Sequence, residues 1–184
     1  MLDGGVDIVQ LRMKDGSDAE ILRVARRFKE ICAEHGALLV LNDSPELALE
    51  ADADGVHVGQ DDTPVARARE IVGRERLVGL STHTEEQVLN AGDADYVGVG
   101  PIYETPTKPG RSGVGPELIR FAAGSAGVPF FAIGGVNLGN VERVRDAGAS
   151  RVAVVRALTE AADPEGSARA LRGALLAGVR VGAA

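Results

Sequence analysis

Two aspartates stand in matching contexts, Asp43-Ser44-Pro45 and Asp62-Thr63-Pro64. In each, the next residue is a good helix N-cap and the proline suits the first helical position, so the aspartate is not needed as the cap. Two spare carboxylates on consecutive units are either solvated turn residues or ligands that join a hard, oxygen-ligated cation such as Mg2+ to a phosphate. Cations arise elsewhere, at Arg12 and Lys14 in Gln10-Leu11-Arg12-Met13-Lys14 and at Lys108 in Thr105-Pro106-Thr107-Lys108. With period 2 held to the strand end, Gln10 and Arg12 face inward with Ile8, while Val9 and Leu11 face helices. An inward arginine is costly unless it meets an anion or a neighbouring acid. Asn42, beside Asp43, is a further polar ligand. Ser81 serves either local backbone or an anion. Gly134-Gly135 is either a tight strand-to-helix turn or an offer of backbone N–H groups to a phosphate, with the segment around Val155 and Arg156 beside it. His35, His57 and His83 have no carboxylate or cysteine at a motif spacing, so neither a histidine triad nor a zinc site is supported.

These residues need elements to hold them. Seven short apolar runs have strand character: Val6 to Arg12, Ala37 to Leu41, Gly55 to Gly59, Leu77 to Ser81, Tyr96 to Pro101, Phe130 to Gly134 and Arg151 to Ala157. Helical spacing lies between them, as in Ile21, Val24, Ala25, Phe28 and Ile31. Similar turns precede many strands, for example Asp54-Gly55-Val56 and Ala94-Asp95-Tyr96. Alternating βα units build a closed (β/α)8 barrel or an open doubly wound sheet, and the missing G-x-G-x-x-G after the first strand favours the barrel. In a barrel, the candidate residues above all fall at strand C-terminal ends, where function collects. Seven strands are one short of eight. Met1 to Gly5 reads as a last helical turn with a glycine cap, so the expectation is a single TIM-barrel domain over 1–184 that is truncated at its N-terminus. Thr159 to Ala184, with Leu171, Leu175 and Leu176, reads as a terminal helix packed on the barrel.

The 184 residues are 45% hydrophobic and 26% charged, enough for a sizeable core. Twenty basic against 27 acidic residues give a net charge of −7, which argues against a nucleic-acid or anionic-membrane footprint. One cysteine, Cys32, excludes an internal disulfide framework and suits a reducing cytoplasm. No run approaches the roughly 18 apolar residues of a membrane span. Oligomeric state is left open, a homo-oligomer included.

Read in order, Gln10-x-Arg12-x-Lys14, Asn42-Asp43, Asp54-Gly55-x-His57-x-Gly59-Gln60-x-Asp62, Gly79-x-Ser81-x-His83, Gly100-Pro101-Ile102 with Thr105-x-Thr107-Lys108, and Ile133-Gly134-Gly135 resemble the thiamine phosphate synthase family across nearly the whole chain. The resemblance implies a (β/α)8 barrel that joins hydroxymethylpyrimidine diphosphate to a thiazole phosphate and releases pyrophosphate. It implies Mg2+ held by Asp43 and Asp62, with Arg12, Lys14, Asn42, Ser81 and Lys108 around the diphosphate. Gln10 would meet the pyrimidine within a binding segment that includes Leu11 and Met13. Thr105, Pro106, Thr107 and Gly135, with backbone at Val155 and Arg156, would receive the thiazole phosphate. The family often carries Ser where Arg156 stands, and has a further strand and helix before the part matching Leu2 to Lys14. Arg12, Lys14, Asp43, Asp62 and Lys108 favour the synthase over the related thiazole tautomerases. A phosphate-metabolite binding protein on the same barrel is the non-enzymatic alternative.

Overall fold

A computed structural model describes residues 1–105 and 112–177. All seven expected strands form: β1 (Ile8–Leu11), β2 (Leu38–Asn42), β3 (Gly55–Val58), β4 (Leu77–Thr82), β5 (Tyr96–Val99), β6 (Phe130–Ile133) and β7 (Val152–Ala153). They pair in parallel and in sequence order, the order of a barrel-type sheet and not of a doubly wound one. The intervening helices are α1 (Asp18–Glu34), α2 (Pro45–Glu50), α3 (Val65–Val72), α4 (Glu85–Leu89), α5 (Glu117–Ser125) and α6 (Val141–Asp146). After β7 come α7 (Arg156–Thr159) and α8 (Pro164–Leu176). β7 is shorter than expected because the chain turns into α7, which places Ala157 in a helix.

Two capping expectations separate here. Ser44 caps α2, its hydroxyl accepting the Leu47 N–H at 3.3 Å with Pro45 at the first position. Thr63 does not cap: α3 begins one residue later than expected, with Pro64 in the cap position and no side-chain cap bond.

The core lies between sheet and helices. Leu39, Leu41, Val56, Val58, Val78, Val97 and Val99 are buried against Ala25, Cys32, Ala48, Ala68, Val88, Ile119 and Ala122. Small alanines let each helix approach a strand surface of branched side chains, which is why so few aromatics are needed. At the strands' N-terminal ends, the recurring turn has a structural cause. Asp54 accepts the Leu39 N–H at 2.8 Å, and Asp95 accepts the Val78 N–H at 2.7 Å. Each carboxylate thereby ties the start of its own strand to that of the preceding one. Lys29 neutralises Asp54, and the buried Arg69 guanidinium neutralises Asp95.

Among the described residues β1 and β7 are not hydrogen-bonded to each other, so the sheet is a seven-stranded arc. The N-terminal turn Leu2–Gly4, capped by Gly5 at φ 94°, packs on α8, whose Arg172 donates to the Gly5 carbonyl at 2.8 Å. Of the terminal helix expected over Thr159 to Ala184, α8 packs on this turn and on α6 and α7, and residues 178–184 lie outside the described residues. Leu171 is buried there, while Leu176 is exposed. No helix is long and apolar enough to cross a membrane among the described residues.

Candidate active site

The inner face of the arc is organised by register. Asn42 pairs with His57, His57 with Gly79, and Gly79 with Tyr96, so one row crosses four strands. The next row toward the C-terminal rim holds Ser81, Gly98 and Phe131. Gly79 is required where it stands: a Cβ there would lie 2.5 Å from His57 Nδ1 and from Tyr96 Oη. Its absence lets the two rings meet above the strand. His57 is buried, and its Nε2 and Nδ1 lie 2.9 Å from Ser81 Oγ and 3.1 Å from Tyr96 Oη.

The rim has a charged part and an enclosed part. In the charged part, Asp43 follows β2 with φ at 69°, a left-handed conformation that Asp tolerates better than most residues. Its N–H donates to the His57 carbonyl at 2.8 Å. Asp62 Oδ2 accepts the Gly59 N–H at 2.8 Å, which folds the loop after β3 back toward the strand. The two carboxyls reach each other: burial foremost, then a hydrogen bond with Asp62 and the charge of Asp62, raise the Asp43 carboxyl above the usual carboxylate range. Lys14 and Arg12 lie close enough to oppose that rise. The four groups singled out in the sequence therefore converge.

Of the four, only Asp43 is half-buried; Asp62 is exposed. Arg12, Lys14 and Gln10 are exposed, and only Leu11 of that segment is buried, with Met13 half-buried. The expectation of an inward arginine carrying a burial cost is corrected, because the arc leaves the interior beside β1 open to solvent. Gln10 pairs in register with Val40, and Asn42 is half-buried at the end of β2.

The enclosed part, so named by contrast with the exposed charges, is a partly open pocket of about 380 Å3 over the ends of β4 to β7. Ser81, Thr105, Gly135, Val155 and Arg156 all line it, together with His83, Glu104 and Asn137. Gly134 and Gly135 have positive φ, 96° and 65°, and also admit the chain after β5. A Cβ on Gly134 would sit 2.5 Å from Pro101 Cα, and one on Gly135 would sit 2.7 Å from Tyr103 Cβ. The Gly135 carbonyl accepts from Asn140 at 2.9 Å and from Asn137 at 3.2 Å. Arg156 opens α7 and is exposed, its Nε bonded to Glu160 at 2.7 Å. Pro106, Thr107 and Lys108 lie outside the described residues.

Gln60 links the two parts, donating to the Ser81 carbonyl at 2.7 Å two residues before Asp62. His57 and Tyr96 are joined by a register row through Gly79 that no local spacing displays, and the Asn137 and Asn140 side chains meet the Gly135 carbonyl only in the folded loop.

The family model described as Thiamine monophosphate synthase matches residues 1–158. The chain belongs to that family. The thiamine-phosphate synthase of Acidothermus cellulolyticus is 51% identical over 168 residues, covering 89% of this chain and 79% of the relative. That of Thermosynechococcus vestitus is 50% identical over 172 residues, covering 92% of this chain but 49% of the relative. The chain spans about half the length of several such curated relatives. A thiamine phosphate pyrophosphorylase from Pyrococcus furiosus superposes with a TM-score of 0.87 at 31% identity, covering 95% of this chain and 85% of that one. Membership in the thiamine monophosphate synthase family agrees with the seven-stranded α/β arc and with the order of its motifs.

A divalent cation is what such a family leads one to test. Among the described residues no group of three or more His, Cys, Asp or Glu could hold a metal. Two mutually repelling carboxylates flanked by cations nevertheless suit Mg2+, which commonly takes one or two carboxylates and completes its shell with water and substrate phosphates. The donor set fits.

Proposed function

We propose that this chain is a thiamine phosphate synthase. It would couple hydroxymethylpyrimidine diphosphate to a thiazole phosphate, breaking the methylene C–O bond and forming a C–N bond, with pyrophosphate leaving. The observation that carries this reading is the convergence of Asp43 and Asp62 with Arg12 and Lys14 beside a cavity lined by phosphate-binding types of residue. The seven strands are read as seven of the eight staves of a single (β/α)8 barrel, working in the cytoplasm on small phosphorylated substrates.

Asp43 and Asp62 would hold Mg2+, which when bound offsets charge on the departing pyrophosphate. Arg12 and Lys14 place positive charge on the same group, and Ser81 and Asn42 offer hydrogen bonds to it. Lys108 belongs to this set by sequence. Gln10, with Leu11 and Met13, receives the pyrimidine. Thr105, Pro106, Thr107, Gly135, Val155 and Arg156 receive the thiazole phosphate. The attacking thiazole nitrogen already has its lone pair, so the reaction needs no protein base to create a nucleophile. That agrees with a rim that supplies charge and donors instead of an activated Ser, Cys or His.

The test is a coupling assay on this chain with both substrates, with Mg2+ and with a chelator. Thiamine phosphate and pyrophosphate formed in equal amounts, only with Mg2+, is the expected result. Isomerised thiazole carboxylate phosphate without metal would replace the synthase by a tautomerase. Ligand binding with no product would reduce the chain to a binding protein.

A further inference from the structure

We infer that His57 is a positioning residue that turns the Ser81 hydroxyl into an obligatory donor toward the cavity. The inference deepens the reading of Ser81 as an oxyanion contact and rests on it. His57 lies on β3, Tyr96 on β5 and Ser81 on β4, so three strands hold one line of polar atoms. Tyr96 is 8% exposed, and its Oη has one hydrogen-bond partner among the described residues, His57 Nδ1 at 3.1 Å. A buried phenol that accepted from that nitrogen would leave its own proton without an acceptor, which is costly. Oη–H therefore donates, and Nδ1 accepts. The neutral ring then carries its proton on Nε2 and donates it to Ser81 Oγ at 2.9 Å. With one lone pair of Oγ engaged, the Ser81 proton is directed elsewhere, and Ser81 lines the cavity.

The surroundings hold this line in place. Phe131 packs edge-on against Tyr96, with ring centroids 5.3 Å apart. The Ser81 carbonyl is fixed by Gln60 Nε2 at 2.7 Å, so the residue is gripped at both ends. The opposite tautomer would make Nε2 an acceptor for Ser81 O–H and withdraw that donor from an anion. The choice made at Tyr96 thus decides what Ser81 can do on another strand.

Two readouts on the full chain test the inference. The first is the nitrogen-15 spectrum of the labelled His57 imidazole. Wild type should show a single ring protonated at Nε2, and Tyr96→Phe, a change that preserves the ring and its packing, should admit the Nδ1-protonated form. The second is the affinity for inorganic pyrophosphate with Mg2+. Ser81→Ala should weaken it about tenfold to a hundredfold, as expected for losing a hydrogen bond to a charged group, and Tyr96→Phe about threefold to tenfold. The double variant should be no weaker than Ser81→Ala alone. An Nδ1-protonated ring in wild type overturns the inference, as does a Tyr96→Phe chain with unchanged spectrum and affinity. Neither readout requires turnover, so an inactive chain would defeat the synthase reading while leaving this one decided.

Discussion

The two parts of the rim use different materials. Over β1 to β3 the functional groups are charged side chains, with Arg12, Lys14 and Asp62 exposed and Asp43 half-buried, close enough to perturb one another. Over β4 to β7 they are glycines, hydroxyls and amides around a partly open pocket, with backbone approaching backbone. The first part can stabilise charge that develops during a reaction. The second, apart from Ser81 at its border with the first, is suited to hold a group whose charge does not change. If that division is real, substitutions in the first should lower turnover, and substitutions in the second should weaken substrate binding or the fold.

Asp62→Asn should produce the largest effect. The amide oxygen still accepts the Gly59 N–H, so the loop after β3 survives while one negative charge is lost. Turnover should fall about 100 to 1,000-fold, the range for one preorganised electrostatic contact, with the KM for thiazole phosphate nearly unchanged. Steady-state kinetics varying each substrate checks this. A raised thiazole KM with turnover intact would erase the division.

Gly134→Ala tests the other material. Its Cβ would meet Pro101 at 2.5 Å while the residue keeps φ at 96°, so strain and contact add. A loss of roughly 3 kcal/mol, lowering Tm by about 10 °C, is expected. Gly36→Ala is the control, because Gly36 also has positive φ, 66°, but nothing lies within 4 Å of its Cβ. It should cost only about 1 kcal/mol by the same melting measurement. Equal losses would mean that the close approach of the β5 chain contributes nothing.

Arg156→Ala should be milder. The guanidinium is exposed and already paired with Glu160, so it can add only a partly solvated contact to a phosphate in the cavity. The KM for thiazole phosphate should rise about fivefold to tenfold with kcat nearly constant. A drop in kcat at constant KM would move Arg156 into the charged part.

The same contrast explains what could be read from the sequence. Arg12, Lys14, Asp43 and Asp62 were visible because each follows a strand whose apolar run is plain, and parallel pairing in sequence order brings consecutive ends together. Seven strands and their order followed from the same periodicity. The His57–Tyr96 pair was not visible, since its partners are 39 residues apart and meet only through a register that Gly79 makes possible. The openness beside β1 was missed because an inward-facing position was equated with a buried one. The context of Thr63 matches that of Ser44, so sequence alone predicts a cap at both, but α3 starts one residue later with Pro64 in the cap position.

The smallest effect concerns stability and comes from Asp43. Burial, then the hydrogen bond and charge of Asp62, raise its carboxyl, so the folded state favours the protonated form. A raised pKa of this kind adds stability that is complete below the unfolded value and is lost as pH climbs through the folded one. Wild type should therefore lose stability as pH rises through and somewhat above the ordinary carboxylate range, while Asp43→Asn should not. Asparagine also accepts the left-handed backbone at φ 69°. At neutral pH the variant should melt slightly higher than wild type, and the gap should close at acidic pH. Lys14 and Arg12 oppose the rise and so limit the gain. Mg2+ should raise the Tm of wild type more than that of the variant, because binding to the folded state is lost with the carboxylate. A variant that melts below wild type at neutral pH without metal would mean that the two acids are not in conflict, and that the charged part of the rim is no more strained than the enclosed one.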